Sequence, residues 1–354
     1  MYIWVPYFFG MINTMKAAFL VRKGEASQAF EIRETSVPAD YPPDFILIKV
    51  EAFGLNYADV TARIGNYRDA PPMPAVLGYD VIGEVIAIGK DVSIHAVGDR
   101  VVALTRFGGY AEYAVTNQLA AVKINKEDDA VQMLALATQG ATAWYCVEES
   151  TTIYNNDKVL VTAAAGGVGS IITQLAKNKG AEVYGIVGST ERGEVAKSVG
   201  AKHAINRNTE DVFEAFNRLS GGQKIDAMFD SAGGRFVKKG LKHLAPCGKF
   251  ISYGGSSAGD ARNIFQMIPF ALSFGFYSPI PFLMKSQSYI GVNMLRIADF
   301  KTELIHLCIT RIYEQYKTGK IKILPGKMFD ISDMAVAHTA LEKSKVAGKV
   351  AVRW

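Results

Sequence analysis

Gly166, Gly167 and Gly169 stand in the run Lys158-Val159-Leu160-Val161-Thr162-Ala163-Ala164-Ala165-Gly166-Gly167-Val168-Gly169, and glycines at this spacing let a backbone close around a phosphate. Ala164, Gly166 and Gly169 fill the three places of the dinucleotide fingerprint, with alanine where the first glycine usually sits. Gly166 permits amide groups to approach a pyrophosphate, and Gly169 permits the helix expected from Val168 to Lys179 to pack close on its sheet. The anion would lie at that helix's N-terminus, beside Ala165, Gly167 and Val168, where unpaired amides and the helix dipole favour negative charge. Taken alone, such a run can also be a loop that opens a structural helix.

The next apolar run, Glu182-Val183-Tyr184-Gly185-Ile186-Val187, follows at βαβ spacing and ends in Gly188-Ser189-Thr190-Glu191-Arg192. An acidic residue at this strand end receives the ribose hydroxyls of NAD, whereas NADP needs the place free of negative charge and supplied with cations. Here the first acid comes only after the turn. Gly188, Ser189, Arg192 and Arg207 can meet a 2′-phosphate, which favours NADPH; a solvated charge pair at a helix start is the alternative.

The elements that must hold these residues fall into two groups. Asp226-Ala227-Met228-Phe229-Asp230 and Lys249-Phe250-Ile251-Ser252-Tyr253 continue the βαβ series, with helix-like segments between. Before it, short β-like runs alternate with Gly, Pro and Asp turns: Phe45–Val50, Val81–Gly89 and Gly98–Leu104. After about Met284 the pattern predicts a strand over Tyr289–Val292, helices over Phe300–Tyr316 and Asp333–Lys343, and a closing strand over Gly348–Val352.

A chain of 354 residues exceeds what one core usually serves, so two domains are expected. A net charge of +5 is spread over 39 basic and 34 acidic residues with no basic block, which argues against nucleic acid as a partner. Three widely spaced cysteines, Cys146, Cys247 and Cys308, speak against a disulfide framework and for a reducing, cytoplasmic setting. Residues 1–14 are aromatic and uncharged, yet lack the basic flank of a signal peptide and the length of a membrane span; they read as an extension, with an interfacial anchor as the alternative. The nearly uncharged stretch 268–284 is too broken by Pro and Gly for a membrane helix. A dimer contact leads there, against a substrate lid, a membrane-surface patch or burial in the core.

Several further motifs carry a family resemblance over Met15 to Trp354: Gly54-Leu55-Asn56-Tyr57-Ala58-Asp59 with Arg63 and Gly65-Asn66-Tyr67; Gly78-Tyr79-Asp80-Val81-Ile82-Gly83-Glu84-Val85; Val97-Gly98-Asp99-Arg100-Val101; Gln139-Gly140-Ala141-Thr142-Ala143-Trp144; the glycine-rich turn; and Ala347-Gly348-Lys349-Val350. In this order they resemble the medium-chain dehydrogenase/reductases, specifically the zinc-independent quinone oxidoreductase branch that includes the vesicle amine transport protein 1-like and zeta-crystallin-type proteins. The resemblance implies an α/β chain with a GroES-like β-rich catalytic domain over 15–138 and 287–354. A Rossmann doubly wound parallel-sheet domain over 139–286 interrupts it, with the active site expected in the cleft between them and a homodimer of such chains expected.

Zinc enzymes of this superfamily supply an early Cys and a Gly-His-Glu, where this chain has Asn56 and Gly78-Tyr79-Asp80. The four-cysteine structural lobe is missing too. Tyr is a poor zinc ligand, and scattered cysteines close no tetrahedral site. No metal is therefore expected. The chemistry implied is hydride transfer from NADPH to a small apolar electrophile, a quinone or an α,β-unsaturated carbonyl.

Within that resemblance Asn56 would hold the carboxamide or the substrate carbonyl, or else serve an Asx turn. Tyr67 would donate a hydrogen bond or proton as charge develops, or else cover the site as a half-buried aromatic. Thr142 resembles a threonine near the nicotinamide, and an N-terminal cap is equally consistent. Gly254 and Ser256 would approach the nicotinamide ribose or form a tight turn; Asn293 resembles the loop that meets the carboxamide. Lys349 would reach the cofactor phosphates or sit at a domain edge. Asp59 and Arg63, four apart, read first as a helical ion pair, and the five histidines as core or surface residues. Alkenal or enoyl reduction is the alternative activity, and an NADPH-responsive binding protein at a membrane or vesicle surface is the non-enzymatic one.

Overall fold

A computed structural model of the chain describes residues 13–256, 268–269 and 272–354. The expected extension, at residues 1–12, and Phe270-Ala271 of the apolar stretch lie outside the described residues. The chain divides into two compact units, Met1–Thr138 with Gly326–Trp354, and Gln139–Pro325.

The first unit is built around the long strand Phe45–Leu55. It pairs antiparallel with Asp80–Ile88, Tyr113–Asn117 and Val350–Arg353, and the sheet continues through Arg100–Leu104 and Ala121–Lys123 on one side and Lys327–Asp330 on the other. Side chains alternate across a strand. Ile46, Ile48 and Val50 enter one hydrophobic cluster and Leu47 another, so both faces of the strand are covered. A small sheet of Phe30–Ser36, Thr14–Leu20 and Ala75–Val76 lies beside it in the order given.

The second unit holds a six-stranded, all-parallel sheet ordered His203–Asn206, Glu182–Val187, Lys158–Thr162, Ile225–Asp230, Leu244–Ser252, Ser288–Gly291. Numbered along the chain this is the doubly wound order, and ligands of such sheets bind outside the carboxyl ends where the order reverses, between Lys158–Thr162 and Ile225–Asp230. Val159, Leu160 and Val161 are all buried, as a strand covered on both faces requires.

The boundary expected at 287 is corrected. Ser288–Gly291 adds a sixth parallel strand through Phe250↔Tyr289 and Ile251↔Ile290, and the unit runs to Pro325. A four-residue apolar strand carries no local mark of the sheet it joins; backbone pairing with a distant segment decides it. The helix expected over Phe300–Tyr316 is found at Thr302–Lys317, and a further helix, Met294–Phe300, precedes it across the non-helical Lys301. Only Lys327–Asp330, the helix Met334–Glu342 and Val350–Arg353 return to the first unit.

Among the described residues no helix is long and apolar enough to cross a membrane. The described part of the apolar stretch does not fold into the core. The helix Ile280–Lys285 buries none of its residues, and Phe276, Leu283 and Met284 are 90%, 79% and 77% exposed.

Candidate functional site

In the second unit the strand Lys158–Thr162 runs into Ala163, whose φ of +50° turns the chain toward the helix Gly167–Asn178. A Cβ on Gly169 would overlap the Ala163 carbonyl oxygen and lie 2.8 Å from its carbon. The helix therefore starts against the turn only because position 169 is glycine. At Gly166 a Cβ would lie 3.1 Å from the same Ala163 oxygen, a close contact, and the residue is only partly buried. Gly167 has another reason: a Cβ there would overlap the Gln139 side chain. The first-turn amides of Gly167, Val168 and Gly169 have no acceptor in their own helix, and these are the groups a pyrophosphate would take. The unusual Ala164 is accommodated by Gly185 on the neighbouring strand, where a Cβ would lie 2.8 Å from the Ala164 methyl. Ala164 is fully buried, so glycine on the neighbouring strand makes room for alanine in the turn.

At the end of Glu182–Val187, Ser189 caps the helix Thr190–Ser198, its Oγ accepting from the Arg192 amide at 3.3 Å. The same hydroxyl beside Glu191 holds that carboxyl below the usual range, so Ser189 serves its own helix. Arg192 reaches back to the glycine-rich turn, its Nη1 donating to the Ala165 carbonyl at 3.2 Å. Asn208, which the sequence did not single out, donates from Nδ2 to the Gly188 carbonyl at 2.8 Å. The Arg207 Nη2 lies 3.9 Å from where a Gly188 Cβ would stand. Arg207 thus lies beside Gly188 at the strand end, and Arg192 touches the glycine-rich turn through Ala165.

The other expected cofactor positions are structurally engaged. Gly254 approaches Ser231 so closely that a Cβ would lie 2.9 Å from its carbonyl oxygen, and the Ser256 amide donates to that same oxygen at 2.9 Å. The buried Asp230 carboxylate accepts from the amides of Ala232 and Gly233, at 3.1 and 2.8 Å, and Thr162 Oγ1 accepts from the Ser231 amide at 2.8 Å. These bonds stitch together the carboxyl ends of adjacent strands. Asn293 caps Met294–Phe300 through Oδ1, which accepts from Leu295 and Arg296. Thr142 does not cap: it is buried one residue inside Ala141–Trp144, whose N-cap is Gly140, within a helical run from Ala130 to Glu149.

In the first unit three adjacent strands meet at one point. Gly54 faces Asp80 on one side and Ala351 on the other, and side chains two residues apart share a face. The Lys349 ammonium lies 2.6 Å from Asp80 Oδ2 and donates to Asn56 Oδ1 at 2.8 Å. Asn56 Nδ2 in turn donates to Asp80 Oδ1. A Cβ at Gly54 would overlap both Lys349 Cε and Asp80 Oδ2, so the ion pair crosses the central strand through the space left by that glycine. Lys349 and Asp80 are wholly buried and Asn56 nearly so. Lys349 is thus neither a phosphate contact nor a domain-edge residue, a correction to both readings; residues 293 apart leave no local sign of such a meeting.

Asn56 also opens the helix Tyr57–Arg63, its amide donating to Asp59 Oδ2 at 2.8 Å. Burial pushes the Asp59 carboxyl up to about 7, against the lowering effect of that bond and with a further rise from Asp80. The expected Asp59 to Arg63 pair does not form. Arg63 turns instead to Glu342, at 2.6 Å, and to the Gly24 carbonyl. Tyr67 is half-buried, its ring set edge-on to Tyr79 at 6.2 Å. Burial first, then Asp59 and Tyr67, raise the Tyr79 phenol well above its ordinary value, so it stays protonated. Among the described residues no three of His, Cys, Asp and Glu gather closely enough to share a metal ion.

Two family models match the chain, an alcohol dehydrogenase GroES-like domain over residues 42–147 and a zinc-binding dehydrogenase domain over 167–309. The chain is 29% identical to the synaptic vesicle membrane protein VAT-1 homolog of Danio rerio, over 86% of this chain and 63% of that protein. It is 29% identical to a quinone oxidoreductase of Pseudomonas aeruginosa, over 88% of this chain and 91% of that one. The structure of an Escherichia coli quinone oxidoreductase complexed with NADPH superposes with a TM-score of 0.83 at 25% identity, covering 96% of this chain and all of the other.

Proposed function

Since the chain belongs to the medium-chain dehydrogenase/reductase superfamily, in its quinone oxidoreductase branch, with GroES-like and Rossmann-like parts, we propose that it is an NADPH-dependent oxidoreductase that delivers a hydride, without zinc, to an apolar quinone or α,β-unsaturated carbonyl. The observation that carries the cofactor choice is the placement of Arg207 beside Gly188 and of Arg192 against the Ala165 carbonyl. The amides after Gly166 take the pyrophosphate, and the two guanidiniums take the 2′-phosphate through charge-assisted hydrogen bonds. When bound, the cofactor supplies the hydride. What the chain's own residues add is orientation and charge: Asn56 donates to a carbonyl oxygen, and Tyr67 donates a hydrogen bond or proton as negative charge develops.

Arg192→Glu tests the cofactor reading. One charge-assisted contact contributes roughly 1.5–3 kcal/mol, or about ten- to a hundredfold in affinity. NADPH is expected to bind better than NADH by that margin, and Arg192→Glu to remove most of the gap while NADH binding holds. Equal affinities in the unmodified chain, by titration calorimetry, would assign Arg192 to the helix start alone.

The absence of zinc chemistry is supported by the residues present. Tyr79 carries a phenol held protonated, and the Asp80 carboxylate is already taken by Lys349 and Asn56. Dialysis against a chelator is expected to leave quinone reduction intact. Stoichiometric zinc with activity lost on its removal would overturn this part.

The exposed Phe276, Leu283 and Met284 beside the edge strand Ser288–Gly291 support a homodimer, with a groove of about 470 Å³ lined by Tyr277, Phe282 and Tyr289 among others. Sedimentation velocity at micromolar concentration is expected to show a dimer; a monomer that instead co-sediments with liposomes would favour the membrane-surface reading. The three free cysteines support a cytoplasmic setting.

A further inference from the structure

We infer that Lys349 and Asp80 are positioning residues that lock the Asn56 amide in one orientation, leaving one Nδ2 hydrogen as a donor toward whatever it meets. This rests on the reading that Asn56 faces substrate or cofactor. Three side chains close a ring: Lys349 donates to Asn56 Oδ1, Asn56 Nδ2 donates to Asp80 Oδ1, and Lys349 pairs with Asp80 Oδ2. Turning the amide over would set its NH2 against the ammonium and its oxygen against the carboxylate, two repulsive contacts in a buried place where electrostatic interactions are strong. The ring uses the amide oxygen and one Nδ2 hydrogen. An amide nitrogen carries two hydrogens, so the one left over is a donor.

The device is built from backbone geometry. Asp80 opens one strand that flanks Phe45–Leu55 and Lys349 immediately precedes the other, and they reach each other only because Gly54 has no side chain. Asn56, two residues on, lies on the same face and receives both. The ligand chemistry follows. A locked donor selects an oxygen acceptor, the carbonyl of a quinone or enone or of a carboxamide, and disfavours a hydroxyl or amine donor presented at the same point.

The experiment compares Asn56→Ala with the double variant Lys349→Met/Asp80→Asn, which removes both charges at nearly constant volume and so avoids a lone buried ion. Melting temperature and NADPH affinity are measured on each, with kcat and KM for a soluble quinone. Both variants are expected to lose about ten- to a hundredfold in kcat at saturating NADPH, the scale of a small misplacement at a reacting centre. A purely structural ion pair would change melting and leave kcat in place. If Asn56→Ala is impaired and a folded double variant is not, the lock is overturned while the proposed reaction stands. If Asn56→Ala turns over normally, the reading of Asn56 falls and the lock with it. Should the double variant not fold, side-chain amide NMR of the unmodified chain decides. One Asn56 Nδ2 hydrogen protected from solvent exchange supports the lock, and two equally unprotected hydrogens overturn it.

Discussion

Gly169→Ala is expected to reduce NADPH affinity by on the order of a hundred- to ten-thousandfold while the chain stays folded. The added methyl would overlap the Ala163 carbonyl oxygen, a backbone atom that no rotamer change can move aside. The helix Gly167–Asn178 must then shift away from the turn, and its first-turn amides leave the place where the pyrophosphate sits. Loss of about two charge-assisted bonds, at roughly 1.5–3 kcal/mol each, gives that range. Folding should survive because Ser170, Ile171, Ile172 and Leu175 still bury the helix face, and alanine is a better helix former than glycine by about 1 kcal/mol. Titration calorimetry with NADPH, alongside circular dichroism, reads both halves. Unchanged affinity in a folded Gly169→Ala protein would mean that the anion is held elsewhere.

Lys349→Met is expected to lower stability by roughly 3–5 kcal/mol, because removing one partner of a buried pair leaves the other charge uncompensated. Asp80 is wholly buried and would keep only the Asn56 amide. Adding Asp80→Asn should restore most of the loss by removing the orphan charge, a coupling that a double-mutant cycle measures directly. Urea unfolding of the three proteins, with each unit's transition resolved, makes the comparison. A single Lys349→Met as stable as the parent would show that the ammonium is not buried as described.

Local pattern was enough for much of the second unit. The apolar run Lys158–Thr162, the glycine spacing and the following helix lie within a few residues of one another, and periodicity reads such neighbours well. The strand Glu182–Val187 was legible for the same reason, but the capping role of Ser189 was not.

What the sequence by itself determined is therefore the chemistry available within short stretches: a phosphate turn, a cationic strand end, and the residue types standing where metal ligands would be. Only the tertiary structure decided which distant groups meet. Gly185 makes room for Ala164, Ser288–Gly291 joins the parallel sheet, and Arg63 pairs with Glu342 instead of Asp59. The largest difference is at Lys349, read along the chain as a cation for phosphate and found closed over Gly54 against Asp80 and Asn56. The physical reason is the same in each case. A glycine, a lysine and an aspartate have no local preference for one another, and strand register alone brings them together and leaves water out.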